Sequence, residues 1–173
     1  FRGTHMFKKL KLLLIFLILP IFIISCSRNF SENIKAPLRI SKPSLNFYTE
    51  NLIRAIKNSK NVQVSIFYSK TGKNKIIPND YMEKFNLFMD SIKPSYFVNA
   101  NTADLNLRDP EYRLTIFIEN KSSFIINIFS DKFITIHPWD GSYKPDIIDI
   151  SYLHEGINIY NIVDFIIKNN TEK

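Results

Sequence analysis

At 173 residues and 45% hydrophobic content, the chain has material for one domain with a sizeable core. Its single cysteine excludes any disulfide within the chain. The formal charge of +7 does not indicate a nucleic-acid surface, because Arg2, Lys8, Lys9 and Lys11 lie in the first 25 residues without an acid, and residues 44–170 hold 14 basic against 14 acidic side chains.

Residues 1–5, Phe-Arg-Gly-Thr-His, precede Met6 and read as a vector or fusion scar. Residues 6–25 read as an export signal: a basic start at Lys8, Lys9 and Lys11, an apolar run from Leu12, then Ser25 before Cys26. The apolar run of about fourteen residues is short for a spanning helix, which needs about 20. Ile23-Ile24-Ser25-Cys26 resembles a bacterial lipobox, which implies lipidation of the Cys26 thiol, cleavage before it and a place on the extracytoplasmic face of the cell membrane. Two or three acyl chains on one residue anchor stably where one chain alone is marginal. The competing reading is an uncleaved single-span anchor. Residues 26–43 are polar and without periodicity, a tether leading to a single domain over residues 44–170.

The domain opens with a helix whose stripe is Leu45, Tyr48, Leu52 and Ala55 or Ile56, with Ser44 or Thr49 able to cap it. Val62, Val64, Ile66 and Tyr68 alternate with Gln63, Ser65 and Phe67 as a strand. Turn residues through Gly72 lead to a short strand ended by Pro78. A second helix carries Tyr81, Phe85, Phe88, Met89 and Ile92, with Asp80 and Glu83 in capping-box spacing. Tyr96 to Ala100 reads as a short strand and residues 101–111 as a polar loop. Three closely spaced strands follow: residues 112–119, 123–130 and 132–138, a meander. Ile159, Ile162, Val163, Ile166 and Ile167 recur at helical spacing in a last helix begun by Gly156 or Asn158. The expected architecture is a two-layer α+β domain, an antiparallel sheet of about four to six strands packed with about three helices. The outer sheet face is less polar than usual, with Phe67, Phe117, Phe124 or Ile125, and Phe129, so helices cover part of it or it is a contact surface.

The search for chemistry yields no catalytic set. The domain has no phosphate-cradling glycine loop, no Gly-x-Ser-x-Gly and no His-Glu-x-x-His, and Cys26 is assigned to the anchor. His137 and His154 with Asp140, Asp146, Asp149 and Glu155 match no metal-ligand spacing, so neither metal nor cofactor is expected. Carboxylate pairs for glycoside hydrolysis would have to come from Asp140 with Asp146, or Asp109 with Glu111, and nothing in the spacing makes either pair converge. Ile136 to Asp149 concentrates rare residue types. Trp139, Asp140 and Tyr143 could form an aromatic shelf with an acid for carbohydrate or peptidoglycan. The turn chemistry of Asp140-Gly141 between Pro138 and Pro145 favours the plainer reading, a hinge between the meander and the last helix with Trp139 packed inward.

Three pieces, Phe47 to Ile53, Ile136 to Tyr143 with Asp146, and Tyr160 to Phe165, together resemble a group of clostridial lipoproteins catalogued only as a domain of unknown function. Pro138-Trp139-Asp140-Gly141 is the most specific of them. The resemblance spans about Phe47 to Ile167, implies a Gram-positive cell surface and carries no catalytic residue across. The expectation is a non-enzymatic, membrane-tethered lipoprotein that meets a protein or cell-wall partner, with no nucleic acid involved. A carbohydrate-binding module is the alternative and a hydrolase a more distant one.

The anchor has a direct test. Cys26→Ser is expected to leave the precursor uncleaved and without acyl mass in intact-mass spectra of the membrane fraction; a wild-type chain still starting at Met6 there would sink the assignment.

Overall fold

The computed structural model describes residues 41–99, 109–119 and 121–169. Residues 1–40, with the expected export signal, Cys26 and most of the expected tether, and residues 100–108, 120 and 170–173 lie outside the described residues. In chain order come α1 (Phe47–Asn58), β1 (Val62–Tyr68), β2 (Lys73–Ile76), α2 (Asn79–Ser91), a 3-10 turn (Pro94–Tyr96), β3 (Tyr112–Ile118), β4 (Lys121–Ile128), β5 (Phe133–Pro138), β6 (Asp146–Asp149) and α3 (Ile159–Asn169). The six strands form one open antiparallel sheet in the order β2-β1-β3-β4-β5-β6. Three helices with this sheet make the expected α+β domain.

One sheet face, with Val64, Ile66, Leu114, Ile116, Ile126, Ile134, Ile136 and Ile148, shares a continuous buried cluster with Leu52 of α1, Phe85 and Phe88 of α2, and Ile159, Val163 and Ile166 of α3. The helical stripes of α2 and α3 are therefore buried as their periodicity predicts. Leu45, placed on the first stripe, is instead exposed ahead of α1. Between β1 and β2, Gly72 takes φ +68°, the left-handed conformation that glycine tolerates without strain.

Several expectations fail for local reasons. Tyr96 to Ala100 is not a strand where it is described. Pro94, lacking an N–H and fixing φ, sets a 3-10 turn, after which Phe97 makes one bridge to Ile148 and Val98 N donates to Ile147 O at 2.9 Å. The capping box of α2 does not form. The helix starts two residues earlier, behind Pro78, and Tyr81 N donates to Pro78 O at 2.9 Å. Of the two candidates for starting α3, Asn158 does so. Its Oδ1 accepts from Tyr160 N at 3.0 Å, and its Nδ2 donates to Asp131 O and Ile150 O, so one buried amide joins three segments. The meander has a fourth strand, β6, hidden by its brevity and by its two aspartates.

Neither Ser44 nor Thr49 caps α1, and Asn46 at its N-cap makes no side-chain cap bond. The free N–H of Thr49 is met from the other end of the sequence. Asp146 Oδ2 accepts from Thr49 N at 2.7 Å and from Thr49 Oγ1 at 2.7 Å. Asp146 is fully buried on the helix-packed face, and its Oδ1 faces the Lys42 ammonium with no directed hydrogen bond among the described residues. A carboxylate at a helix N-terminus gains from the helix dipole as well as from these donors.

Asp146→Ala leaves the Lys42 charge and the Thr49 donors unanswered, and breaking such a buried pair costs about 3 kcal/mol or more. Thr49→Val removes one donor and costs about 1 to 2 kcal/mol. Urea denaturation of both variants and their combination is expected to give a double-mutant loss well below the sum, because the two side chains share one interaction.

Candidate functional site

The β5–β6 connection runs from Trp139 to Pro145. Gly141 N donates to Pro138 O at 3.2 Å, so the turn's central pair is Trp139 and Asp140, one residue earlier than the Asp-Gly signal implies. Corner residues of a turn project outward, and both are exposed, Trp139 at 66%. The expectation that Trp139 packs inward is overturned. So is the hinge reading, since the loop joins two paired strands. Gly141 relieves a tight approach and takes no left-handed φ. A Cβ there would lie 3.1 Å from Tyr48 Oη and 3.2 Å from Pro138 Cγ and Cδ. Tyr48 Oη accepts from Tyr143 N at 2.7 Å, and Tyr143 lies edge-on to Phe47, 5.7 Å between centroids. The loop is thus pinned to the start of α1 from one side, leaving the indole free on the other.

The predicted shelf of Trp139, Asp140 and Tyr143 is not assembled. Tyr143 belongs to the Phe47–Tyr48 cluster, and Asp140 points into solvent. Trp139 instead borders a shallow depression of about 270 Å³ on the sheet face opposite the helices, lined with Arg113, Ile125, Asn127 and His137. The strand register builds it, with Arg113 opposite Asn127 across β3 and β4, and Ile125 opposite His137 across β4 and β5. Asn127 is the hub. Its Oδ1 accepts from Arg113 Nε at 3.2 Å, and its Nδ2 lies 3.4 Å from both Thr135 Oγ1 and His137 Nε2. His137 Nδ1 lies 2.9 Å from the carbonyl of Pro138, which places its proton on Nδ1 and leaves Nε2 to accept. Sequence reasoning missed Arg113 and Asn127. Only their opposition in the ladder brings them beneath the Trp139 loop.

The remaining polar candidates are separated or occupied. Asp140 and Asp146 cannot work as a pair, one being solvated and the other buried against Thr49 and Lys42. Asp149 accepts from Ser151 N and Oγ and closes a local turn. His154 accepts from Gly156 N in an exposed loop. No group of three metal-binding side chains occurs among the described residues. Glu111, the other half of a candidate pair with the exposed Asp109, is held by Lys70 at 2.6 Å and by Tyr160 Oη at 3.1 Å. Beside it Tyr112 Oη donates to Asp164 at 2.7 Å and stacks on Tyr68, while Lys168 pairs with Asp164 at 2.8 Å. This cluster ties β3 to α3, and each carboxylate in it is matched by a lysine and a phenol.

Comparison with known proteins agrees with the fold. The profile of a family described as Domain of unknown function (DUF4883) matches residues 42–163. A solved structure from Clostridium perfringens, described as a putative lipoprotein, matches with a TM-score of 0.64 and 22% identity, over 73% of this chain and 98% of that one. At that identity the likeness establishes the fold. No curated protein matches the chain.

The tyrosine cluster sets an alkaline limit on stability. Burial, then the hydrogen bond and charge of Asp164, push the Tyr112 phenol well above its ordinary 10.0. Burial, then Glu111, push Tyr160 up to about 12. Both folded values lie above the unfolded one, so this stabilisation is complete below pH 10 and drains as pH climbs toward 12. The urea midpoint is expected to fall over that window, and less steeply in Tyr160→Phe.

Proposed function

The chain belongs to the family described as Domain of unknown function (DUF4883), and from its anchor signal and its Trp139 rim we infer a lipid-anchored extracytoplasmic binding domain without enzymatic activity. Its tether would start at an acylated Cys26 on the outer face of the cell membrane. The lipobox-like Ile23-Ile24-Ser25-Cys26 supports the anchor, and the clostridial protein sharing the fold is itself described as a lipoprotein. No described helix is long and apolar enough to cross a membrane.

The observation that carries the binding role is the placement of Trp139. A domain spends its largest apolar side chain on the core unless that side chain has another use. Here the only indole of the chain stands in solvent on a loop held to Tyr48 through Tyr143 N and followed directly by the buried Asp146. A firmly held, exposed aromatic beside convergent polar groups is a recognition surface, and aromatic anchors of this type dominate binding energies. The non-enzymatic part of the proposal is supported by the state of the described candidate carboxylates, Asp140 being solvated, Asp149 locally bonded, and Asp146 and Glu111 each paired with a lysine. The ligand in this reading is a partner exposed on the envelope, a protein or a wall component. Exposure of the indole favours the wall component as a class, although by a different residue set from Trp139, Asp140 and Tyr143.

Co-sedimentation of the detergent-solubilised chain with membrane-free envelope tests the proposal. Trp139→Ala is expected to lower the bound fraction several-fold while leaving the melting temperature within a degree or two, since an exposed side chain contributes about 0.5 kcal/mol or less to stability. Equal sedimentation of wild type and variant would remove Trp139 from the binding role.

A further inference from the structure

We propose that the depression bordered by Trp139 binds a single pyranose ring bearing a carboxylate, with the ring against the indole and the carboxylate on Arg113. This rests on the reading of Trp139 as a ligand surface and gives that surface a substrate class.

Charge is the first argument. Arg113 is exposed, forms no salt bridge, and has Asn127 as its only polar partner among the described residues. That bond uses Nε, which orients the guanidinium and leaves both Nη groups with their donors unspent. A guanidinium held by one edge with its other donors free matches a carboxylate, the planar acceptor that takes two parallel N–H groups. No Asp or Glu lines the depression, so its charge is not cancelled locally.

Shape and side-chain chemistry supply the second. At about 270 Å³ the depression lies just below the roughly 300 to 1,000 Å³ of sites for larger ligands, which limits it to one ring. Its apolar parts are the Trp139 indole and Ile125, and its polar parts are Asn127 and His137. An indole presents an electron-rich face to the weakly positive C–H bonds of one side of a sugar ring. Amide and imidazole groups, fixed by their mutual contacts, read hydroxyls that no apolar pocket could distinguish. A simple anion would use Arg113 alone and leave the exposed indole unexplained. A neutral sugar would use the indole and leave the guanidinium uncompensated.

Two kinds of envelope sugar share this chemistry, the lactyl-ether amino sugar of a peptidoglycan-type wall where its stem peptide has been removed and the uronic acid of an acidic polysaccharide. The chain offers a convenient reporter, because Trp139 is its only tryptophan and its emission reports on this site alone. The detergent-solubilised full chain is titrated with N-acetylmuramic acid, galacturonic acid, N-acetylglucosamine and sodium lactate. At least one acidic sugar is expected to shift the emission at least tenfold more tightly than the neutral sugar or lactate, and the tighter of the two acids names the source. Arg113→Gln should erase the preference for the acid while leaving the weak neutral-sugar response, and Arg113→Lys should restore part of it. Thermal melts check folding, and should Arg113→Gln melt early, the comparison of acid with neutral sugar on wild type decides by itself. Equal affinity for acidic and neutral sugars, or lactate matching N-acetylmuramic acid, overturns the proposal. So does the absence of any sugar response in a chain that still co-sediments with envelope through Trp139, a result that leaves the broader binding role standing.

Discussion

The Asp146 carboxylate is the constraint around which this domain is organised. It is fully buried, and a buried charge is tolerated only when paired and hydrogen-bonded. Its partners are Thr49, 97 positions earlier in sequence, and Lys42, which leads into α1. One group therefore closes the N-terminus of α1, positions the segment arriving from the tether, and holds the first residue of β6. The same end of the molecule is secured a second time through Tyr48, whose hydroxyl meets the Tyr143 backbone and leaves little room for a side chain at Gly141. Both fixings lie on the β6 side of the loop's corner, where Trp139 and Asp140 are exposed.

The sheet then divides its duties by face. Residues pointing one way are mainly isoleucine, leucine and valine buried under three helices, with Tyr112 and Asp146 among them. Those pointing the other way include Arg113, Asn127 and His137, linked side by side across three strands. Strand register alone places them in adjacent rows, and the pinned loop brings Trp139 alongside them. In the proposed binding role, a ligand meeting this preordered row and the indole beside it would cost the protein less freedom on binding. The opposite arrangement holds around Tyr112, Tyr160, Glu111 and Asp164, where every polar group is answered within the protein and the cluster joins β3 to α3.

Two of the three sequence pieces that carry the family resemblance, Phe47 to Ile53 and Ile136 to Asp146, meet in space. The first supplies Tyr48 and Thr49, and the second supplies Gly141, Tyr143 and Asp146. Their distinctive residues thus find a structural explanation in one junction. The third piece contributes Tyr160 and Asp164 to the other cluster. Trp139 stands apart, since no packing role in the domain accounts for it. Periodicity made the helices, the first strand and most of the meander legible, because burial on one side leaves a 3.6- or two-residue rhythm. β6 left no such rhythm. It is four residues long and its leading aspartate turns inward, an arrangement that depends on donors nearly a hundred residues away.

The sequence by itself determined the α+β class, the stripes of α2 and α3 and the exclusion of a disulfide within the chain, all of which rest on local pattern and composition. The tertiary structure alone decided the direction of the Trp139 ring, the burial of Asp146 and the assembly of Arg113, Asn127 and His137. The reason is physical. A turn signal reports that the chain reverses near Gly141 and leaves open which two residues occupy the corner. Here that choice follows from a carboxylate buried beneath a distant helix and a tyrosine hydroxyl pressed against the loop.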